Sequence, residues 1–354
     1  MNSTVAFLGV LLGTLAWIAL PLVPALRELM SPRDAGPLDA VGQDSGDLTF
    51  FADSFRQFVH SGGHASVANG AALPNGRTIV RVGAGTEPRA IDPQCGLVVA
   101  DPDTALAEQL ACPVEVYGVG NLTLGTGSTV RAVLAEGQLT IAPHTSVMRW
   151  VHGERALAVG DDVKLLGRAT SRGAVALGRG VLFDRILAPY IIVGEATVAP
   201  ATLSRDAWEL EDSRPVFQLE RASAVLASQH WLVDENLVIP DGHVFRGTLV
   251  VRGSLRIGAG CEIRGSVKAH RTLTLGTGAV VTGTAACRHD IVVGEDARVH
   301  GPVISEGTVQ LAARARIGLP SMPASVSAER ITLASGVEVF GSLSARLSGS
   351  TATK

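Results

Sequence analysis

An apolar skeleton recurs every 18 residues in the C-terminal part of this chain. Leu237, Leu255, Leu273, Ile291 and Val309 are each 18 residues apart, and the apolar positions two and eight residues further on repeat with them. Within each repeat, apolar residues alternate with polar ones over short runs, which is typical of strands with one buried face. One repeat cannot bury that face alone. The fixed period therefore predicts a β-solenoid, whose coils stack about 4.8 Å apart.

A looser series precedes it. Five segments share the pattern apolar, any residue, apolar, small residue, and they cover residues 122–125, 139–142, 157–160, 175–178 and 191–194. Aromatic residues are only 4% of the chain and glycines number 40, which suits a narrow aliphatic interior with many turns. The two series predict a mainly β chain with about eleven coils in two solenoid blocks, residues 122–196 and 237–345.

The remaining segments have different patterns. Residues 79–121 suggest a small mixed α/β entry region with a short helix over 104–111, residues 197–236 an insertion, and residues 346–354 a polar tail. Residues 31–78 suggest a linker that contains one short amphipathic helix. In that helix Phe51, Phe55 and Phe58 recur at i, i+4 and i+7. We expect it to cap the core of the next domain; the alternative is a helix lying on the membrane surface.

Residues 5–26 contain no charged residue, and about 20 apolar residues span a bilayer as a helix. No Lys or Arg precedes this run and no clear cleavage site follows it, which favours an uncleaved anchor (residues 1–30) over a signal peptide. Arg27 and Arg33 follow the span, so the sequence predicts a single-pass protein with its body in the cytoplasm. Gly9 and Gly13 form a GxxxG motif, a candidate for close pairing of two such helices.

No motif predicts catalysis or a cofactor. The formal net charge is −3 and no basic stripe with aromatics appears, which argues against a nucleic-acid partner. No Ser/His/Asp motif, phosphate-binding loop or zinc-type cysteine spacing is present, so no catalytic, cofactor-binding or metal-binding residue is predicted. Four cysteines fit a reducing compartment, although Cys95 and Cys112 are a possible pair if the body were periplasmic.

The second block repeats a longer motif. The segments FRGTLVV, IRGSVKA, VTGTAAC, VHGPVIS and VFGSLSA share the form apolar-x-Gly-x-apolar-x-small. This series resembles the bactofilins, polymer-forming bacterial cytoskeletal proteins, over about residues 237–345. The resemblance implies a right-handed triangular β-helix and nucleotide-free filaments built by end-to-end stacking. It also implies a scaffold for a membrane-bound envelope or polysaccharide enzyme at the bacterial inner membrane. The family's end coil often carries a Phe where this chain has Val339, and the first coil has Phe245, so these two residues are candidates for oligomer contacts.

Two other interpretations of the solenoid's function remain open. An 18-residue coil is also three hexapeptides, which fits the left-handed β-helix of hexapeptide acyltransferases. His270, His289 and His300 are the candidate bases for such an enzyme, but they do not share one column. A periplasmic solenoid that binds glycan directly is the third reading.

The insertion between the blocks is the second place where function is expected. It contains Trp208, Phe217 and Trp231, which are candidate anchors for a partner protein. The alternative is a plug over the seam between the blocks.

Overall fold

A computed structural model describes residues 49–62, 69–83, 91, 94–194, 214–219, 224–227 and 230–353, together with Thr14 and Val23. Residues 39–354 form one compact unit. The fold is mainly β and is a solenoid of about 13 turns, two more than the eleven coils predicted. Within the described part, one helix longer than a single turn precedes the strands, α1 (Phe50–Ser61).

The first solenoid begins at Thr78, well before the predicted boundary at residue 122. Its strands pair in parallel with the strand one turn along, as in the predicted column that joins Leu122 to Leu139, Leu157, Val175 and Ile191. Its strands are β1 (Thr78–Val82), β2 (Cys95–Ala100), β3 (Thr104–Ala105), β4 (Ala111–Gly118), β5 (Leu122–Leu124), β6 (Thr129–Ala135), β7 (Gln138–Ile141), β8 (Ser146–Gly153), β9 (Ala156–Val159), β10 (Lys164–Ser171), β11 (Ala174–Leu177) and β12 (Leu182–Val193).

The prediction of a helix over residues 104–111 is wrong. Thr104 pairs with Leu122 of the next turn, so β3 already belongs to the solenoid. Gln109 then has a φ of 55°, in the left-handed region, which is incompatible with a continuing α-helix. Leu106 and Leu110 are buried because they line successive positions of a turn, and their spacing imitates one face of a helix.

The second solenoid follows the strict 18-residue series. Leu237 pairs with Leu255, and the same column continues through Leu273, Ile291 and Val309. Its strands are β13 (Ala224–Ala227), β14 (His230–Val233), β15 (Leu237–Ile239), β16 (Val244–Arg246), β17 (Thr248–Val251), β18 (Leu255–Ile257), β19 (Glu262–Arg264), β20 (Val267–Ala269), β21 (Thr272–Leu275), β22 (Val280–Val281), β23 (Ala285–Cys287), β24 (Asp290–Val293), β25 (Arg298–Val299), β26 (Val303–Ser305), β27 (Thr308–Leu311), β28 (Arg316–Ile317), β29 (Ala324–Leu333) and β30 (Glu338–Thr351).

The interior of the solenoids is filled by aliphatic columns. In the first solenoid one column contains Val98, Val116, Val133 and Val151, each at most 1% exposed. β-Branched side chains suit this position because they pack well on a pleated surface. The four cysteines of the chain are buried and unlinked, so Cys95 and Cys112 do not form a disulfide.

The two solenoids join at their last turns. Strand β12, which ends the first solenoid, pairs antiparallel with β30, which ends the second. One hydrophobic core therefore runs through both solenoids and across the join.

The predicted membrane anchor lies almost wholly outside the described residues, and so do Gly9, Gly13 and Trp208. Among the residues that the structure does describe, no helix is long and apolar enough to cross a membrane.

Candidate assembly surfaces

The ends of a solenoid are its natural contact surfaces, because a terminal turn presents unpaired backbone N–H and C=O groups. This chain has four such ends, two for each solenoid. The C-terminal ends of both solenoids are joined to each other through strands of 12 and 14 residues.

The junction pairs β12 and β30 across the interior of the solenoids. Ile186 lies opposite Leu343 near its centre, and Phe183 lies opposite Gly349 on one side. On the other side Ile191 lies opposite Val339. Phe183, Ile191 and Val339 are at most 2% exposed, so the junction excludes water on both sides.

Backbone hydrogen bonds close both sides of the junction. The N–H of Val193 donates to the carbonyl of Val337 at 3.0 Å, and the N–H of Thr351 donates to the carbonyl of Val181 at 3.0 Å. The Thr351 hydroxyl also accepts from the Val181 N–H and donates to the Gly178 carbonyl, and this side chain is 3% exposed. Backbone N–H and C=O groups at the edge of each terminal turn are thus hydrogen-bonded to the other terminal turn. Without the junction these groups could pair with another chain.

The N-terminal end of the second solenoid is covered in part. β13 pairs antiparallel with β14, and the N–H of Phe217 donates to the carbonyl of Val244 in β16 at 2.8 Å. Within the described residues β15 pairs on one side alone, with β18. Val238 in β15 is 59% exposed, and Val216, beside β16, is 52% exposed. This end therefore offers a short apolar strand edge.

The candidate contact residues from the sequence take several positions. Phe245 is 3% exposed and Val339 is fully buried, so their side chains fill the interior, Val339 within the junction. Phe217 and Trp231 are half-buried and pack against the core at the N-terminal end of the second solenoid. They serve there as part of its cover, whereas the plug considered as an alternative would be helical and would lie over the seam between the blocks.

Helix α1 packs on the flank of the first solenoid. Ala52 and Val59 are buried against it, and Phe55 makes edge-on ring contacts with Tyr117 and Trp150. Phe51 and Phe58, predicted to share the buried face with Phe55, are 39% and 46% exposed. Phe51 is therefore only partly covered, by the Arg168 guanidinium 4.3 Å from its ring centre, and Arg56 shares the contacting face with Phe55, where the solenoid supplies carboxylates to meet it.

A polar network ties α1 to the solenoid. The Arg56 guanidinium donates to Glu136 at 2.8 Å and also to Glu154. The Tyr117 hydroxyl donates to the same Glu136 carboxylate at 2.9 Å. Burial, followed by this hydrogen bond, raises the pKa of Tyr117. The solenoid members come from three successive turns and lie 61 or more residues from Arg56 in the sequence, so no local motif reveals the network.

His152 extends that network and is as buried as Tyr117, with 1% of its side chain exposed. Its Nδ1 lies 2.8 Å from the Thr170 hydroxyl and its Nε2 lies 3.1 Å from Glu154. Burial lowers the pKa of His152. Burial alone would raise the pKa of Glu154, but the His152 hydrogen bond and the charges of Arg56 and Arg172 outweigh it, so this pKa lies below its ordinary value.

The histidines proposed for an acyltransferase do not converge. His270 and His289 follow strands β20 and β23, whereas His300 follows β25 and is buried at another corner of the coil. In the part of the chain that the structure describes, no group of three His, Cys, Asp or Glu side chains is arranged to hold a metal ion.

Comparison with known proteins identifies the second solenoid. Residues 237–344 match the family model Bactofilin, described as polymer-forming cytoskeletal. No curated protein and no solved structure matches the chain. The resemblance to the bactofilins that the sequence predicts is therefore confirmed over residues 237–344, within the second solenoid, and the first solenoid lies outside the match.

Proposed function

We propose that this chain, whose second solenoid contains a bactofilin domain, is a membrane-anchored structural scaffold. It self-assembles through the ends of its solenoids and organises cell-envelope or exopolysaccharide-synthesising enzymes at the bacterial inner membrane, with its body in the cytoplasm. The observation that carries the proposal is the family match, because that family is described as polymer-forming and cytoskeletal.

The architecture supports a structural role. Each turn pairs in parallel with the next, and equivalent residues of successive turns stack on one another. Each turn is therefore stabilised by its neighbours. The junction supports end-to-end contact, since it shows a terminal turn of this sequence pairing with another terminal turn through backbone hydrogen bonds.

The membrane part rests on the sequence and on α1. Residues 5–26 are uncharged and long enough to span a bilayer. Helix α1 begins 24 residues after that run, and Phe50 and Phe58 on its outer side are 61% and 46% exposed. Exposed aromatic side chains close to an anchor suit the interface of a membrane.

Two measurements test the proposal. The full chain, purified in mild detergent without nucleotide, is imaged by negative-stain electron microscopy, and we expect elongated assemblies one solenoid wide. Cell fractionation should leave the full chain in the membrane pellet after carbonate extraction, and a variant lacking residues 5–26 should move to the supernatant. Single particles at every protein concentration would contradict self-assembly. Trimers that bind acetyl-CoA would instead support an acyltransferase.

A further inference from the structure

The junction has the pattern of a two-fold interface, formed within one chain. In such an interface, when residue i contacts residue j, the equivalent of j contacts the equivalent of i. Phe183 follows Val181 by two residues, as Val339 follows Val337, so these two are equivalent positions of the last turns. The pair Phe183–Gly349 then corresponds to the pair Val339–Ile191, and both are present.

The hydrogen bonds obey the same relation. The Thr351 N–H donates to Val181 and the Val193 N–H donates to Val337. Exchanging the two solenoids turns each of these bonds into the other. Gly180 and Gly336 occupy equivalent turns with positive φ of 65° and 75°. The first solenoid therefore meets the second in a contact with pseudo-two-fold symmetry.

The side chains, however, favour a contact between the first and the second solenoid over a contact between two copies of the same solenoid. In the junction a large Phe183 meets Gly349, and a medium Val339 meets Ile191. Two copies of the second solenoid would place Val339 opposite Gly349 on both sides and leave the interior underfilled. Two copies of the first would place Phe183 opposite Ile191 on both sides and overfill it. Cavities and overpacking both destabilise a core, so each like pair is disfavoured.

Covalent connection adds to this preference. Residues 194–223 connect β12 to β13. Two sites on one chain meet at an effective concentration that does not fall when the chain is diluted, whereas a contact between separate copies weakens with dilution.

We infer that the first solenoid is a built-in partner that occupies the C-terminal end of the bactofilin domain and closes that end to other copies of the chain. This rests on the proposed scaffold function, since it states which ends remain for assembly. The described edge at β15, with exposed Val238, is then the end of the bactofilin domain that a second copy reaches.

Cysteine cross-linking of the full chain tests the inference. Arg185 and Ser344 are opposite each other in β12 and β30 and neither is buried, so Arg185→Cys with Ser344→Cys places two thiols across the junction. The four native cysteines are buried and do not compete. After mild oxidation in detergent, we expect a reducible cross-link within single chains, seen as a monomer of altered mobility on a non-reducing gel. Assemblies seen by microscopy should keep their form.

The double variant Ser342→Cys with Ser344→Cys is the matched control. In a contact between two second solenoids, residue 344 would face residue 342 of the other copy, because Leu343 lies near the centre of the two-fold pattern. We expect no dimer from this variant. Cross-linked dimers from either variant, or assemblies that disappear when the junction is locked, would overturn the inference. The gel result does not depend on whether assemblies form, so it separates this inference from failure of the scaffold proposal.

Discussion

Exchanging side chains across the junction offers a direct test of how the two solenoids fit together. Phe183 is 2% exposed and faces Gly349, where an added Cβ would overlap the Phe183 ring. The opposite side of the junction achieves the same fit with Val339 and Ile191. The double variant Phe183→Val with Gly349→Ile therefore gives this side of the junction the same residue types, Val opposite Ile, as the other side.

The single changes should each be costly. Phe183→Val removes about four carbon atoms from a buried ring, and at about 0.8 kcal/mol per buried CH₂ the loss is about 3 kcal/mol before any cavity cost. Gly349→Ile forces a side chain into the space of the ring, with an expected cost of about 1–3 kcal/mol or more. The double variant keeps the number of buried side-chain carbon atoms unchanged, so we expect it within about 1.5 kcal/mol of the native chain.

Equilibrium urea unfolding of the full chain in detergent, followed by circular dichroism, gives the free energy of unfolding of each variant. We expect the double variant to be more stable than the sum of the single effects by about 2 kcal/mol or more. Leu182→Ala, at an exposed position of the same strand, is the control and should change stability by about 0.5 kcal/mol or less. Additive effects would mean that these two side chains do not pack against each other, and the described junction would be wrong.

Other perturbations probe the remaining features. Leu273→Ala, in a fully buried column, should lower the free energy of unfolding by about 2–5 kcal/mol, whereas Thr274→Ala on the outer face should have little effect, both measured by urea unfolding. Arg56→Gln breaks the ion pairs that hold α1, so limited proteolysis should cut residues 49–62 faster while the solenoid remains intact. Burial lowers the pKa of His152 below the ordinary 6.5, so protonation favours the released helix, and the same proteolysis should accelerate as the pH falls from 7 to about 5; a flat profile would contradict this. Burial raises the pKa of Cys112 to about 11, so iodoacetamide at pH 8 should alkylate it only after denaturation.

The sequence predicts the part of the fold that repeats locally. The columns through Leu122 and Leu237 are confirmed because each strand pairs with the strand one turn away, and that distance is written into the period. The helix predicted for the entry region is wrong because Leu106 and Leu110 have the spacing of one helix face. The left-handed turn at Gln109 that separates them cannot be recognised from the hydrophobic pattern.

The contacts between segments far apart in the chain could not be predicted from the sequence. β12 and β30 are more than 140 residues apart, and their antiparallel pairing does not follow the 18-residue period from which the other strand pairs are predicted. Val339, a predicted oligomer contact, does lie at a solenoid end, but it faces Ile191 of the same chain. Arg56 was missed because its carboxylate partners come from different turns of the first solenoid.

The antiparallel join has a mechanical consequence. Each solenoid alone has a direction, from its first turn to its last, and the junction of β12 with β30 sets these directions against each other. A molecule joined in this way presents a first turn at each of its outer ends, so strand direction alone gives it no forward or backward sense. The two outer ends still differ, because they belong to solenoids of different sequence. A fibre of such units would therefore take any polarity from the side chains at its contacts and not from the direction of its strands.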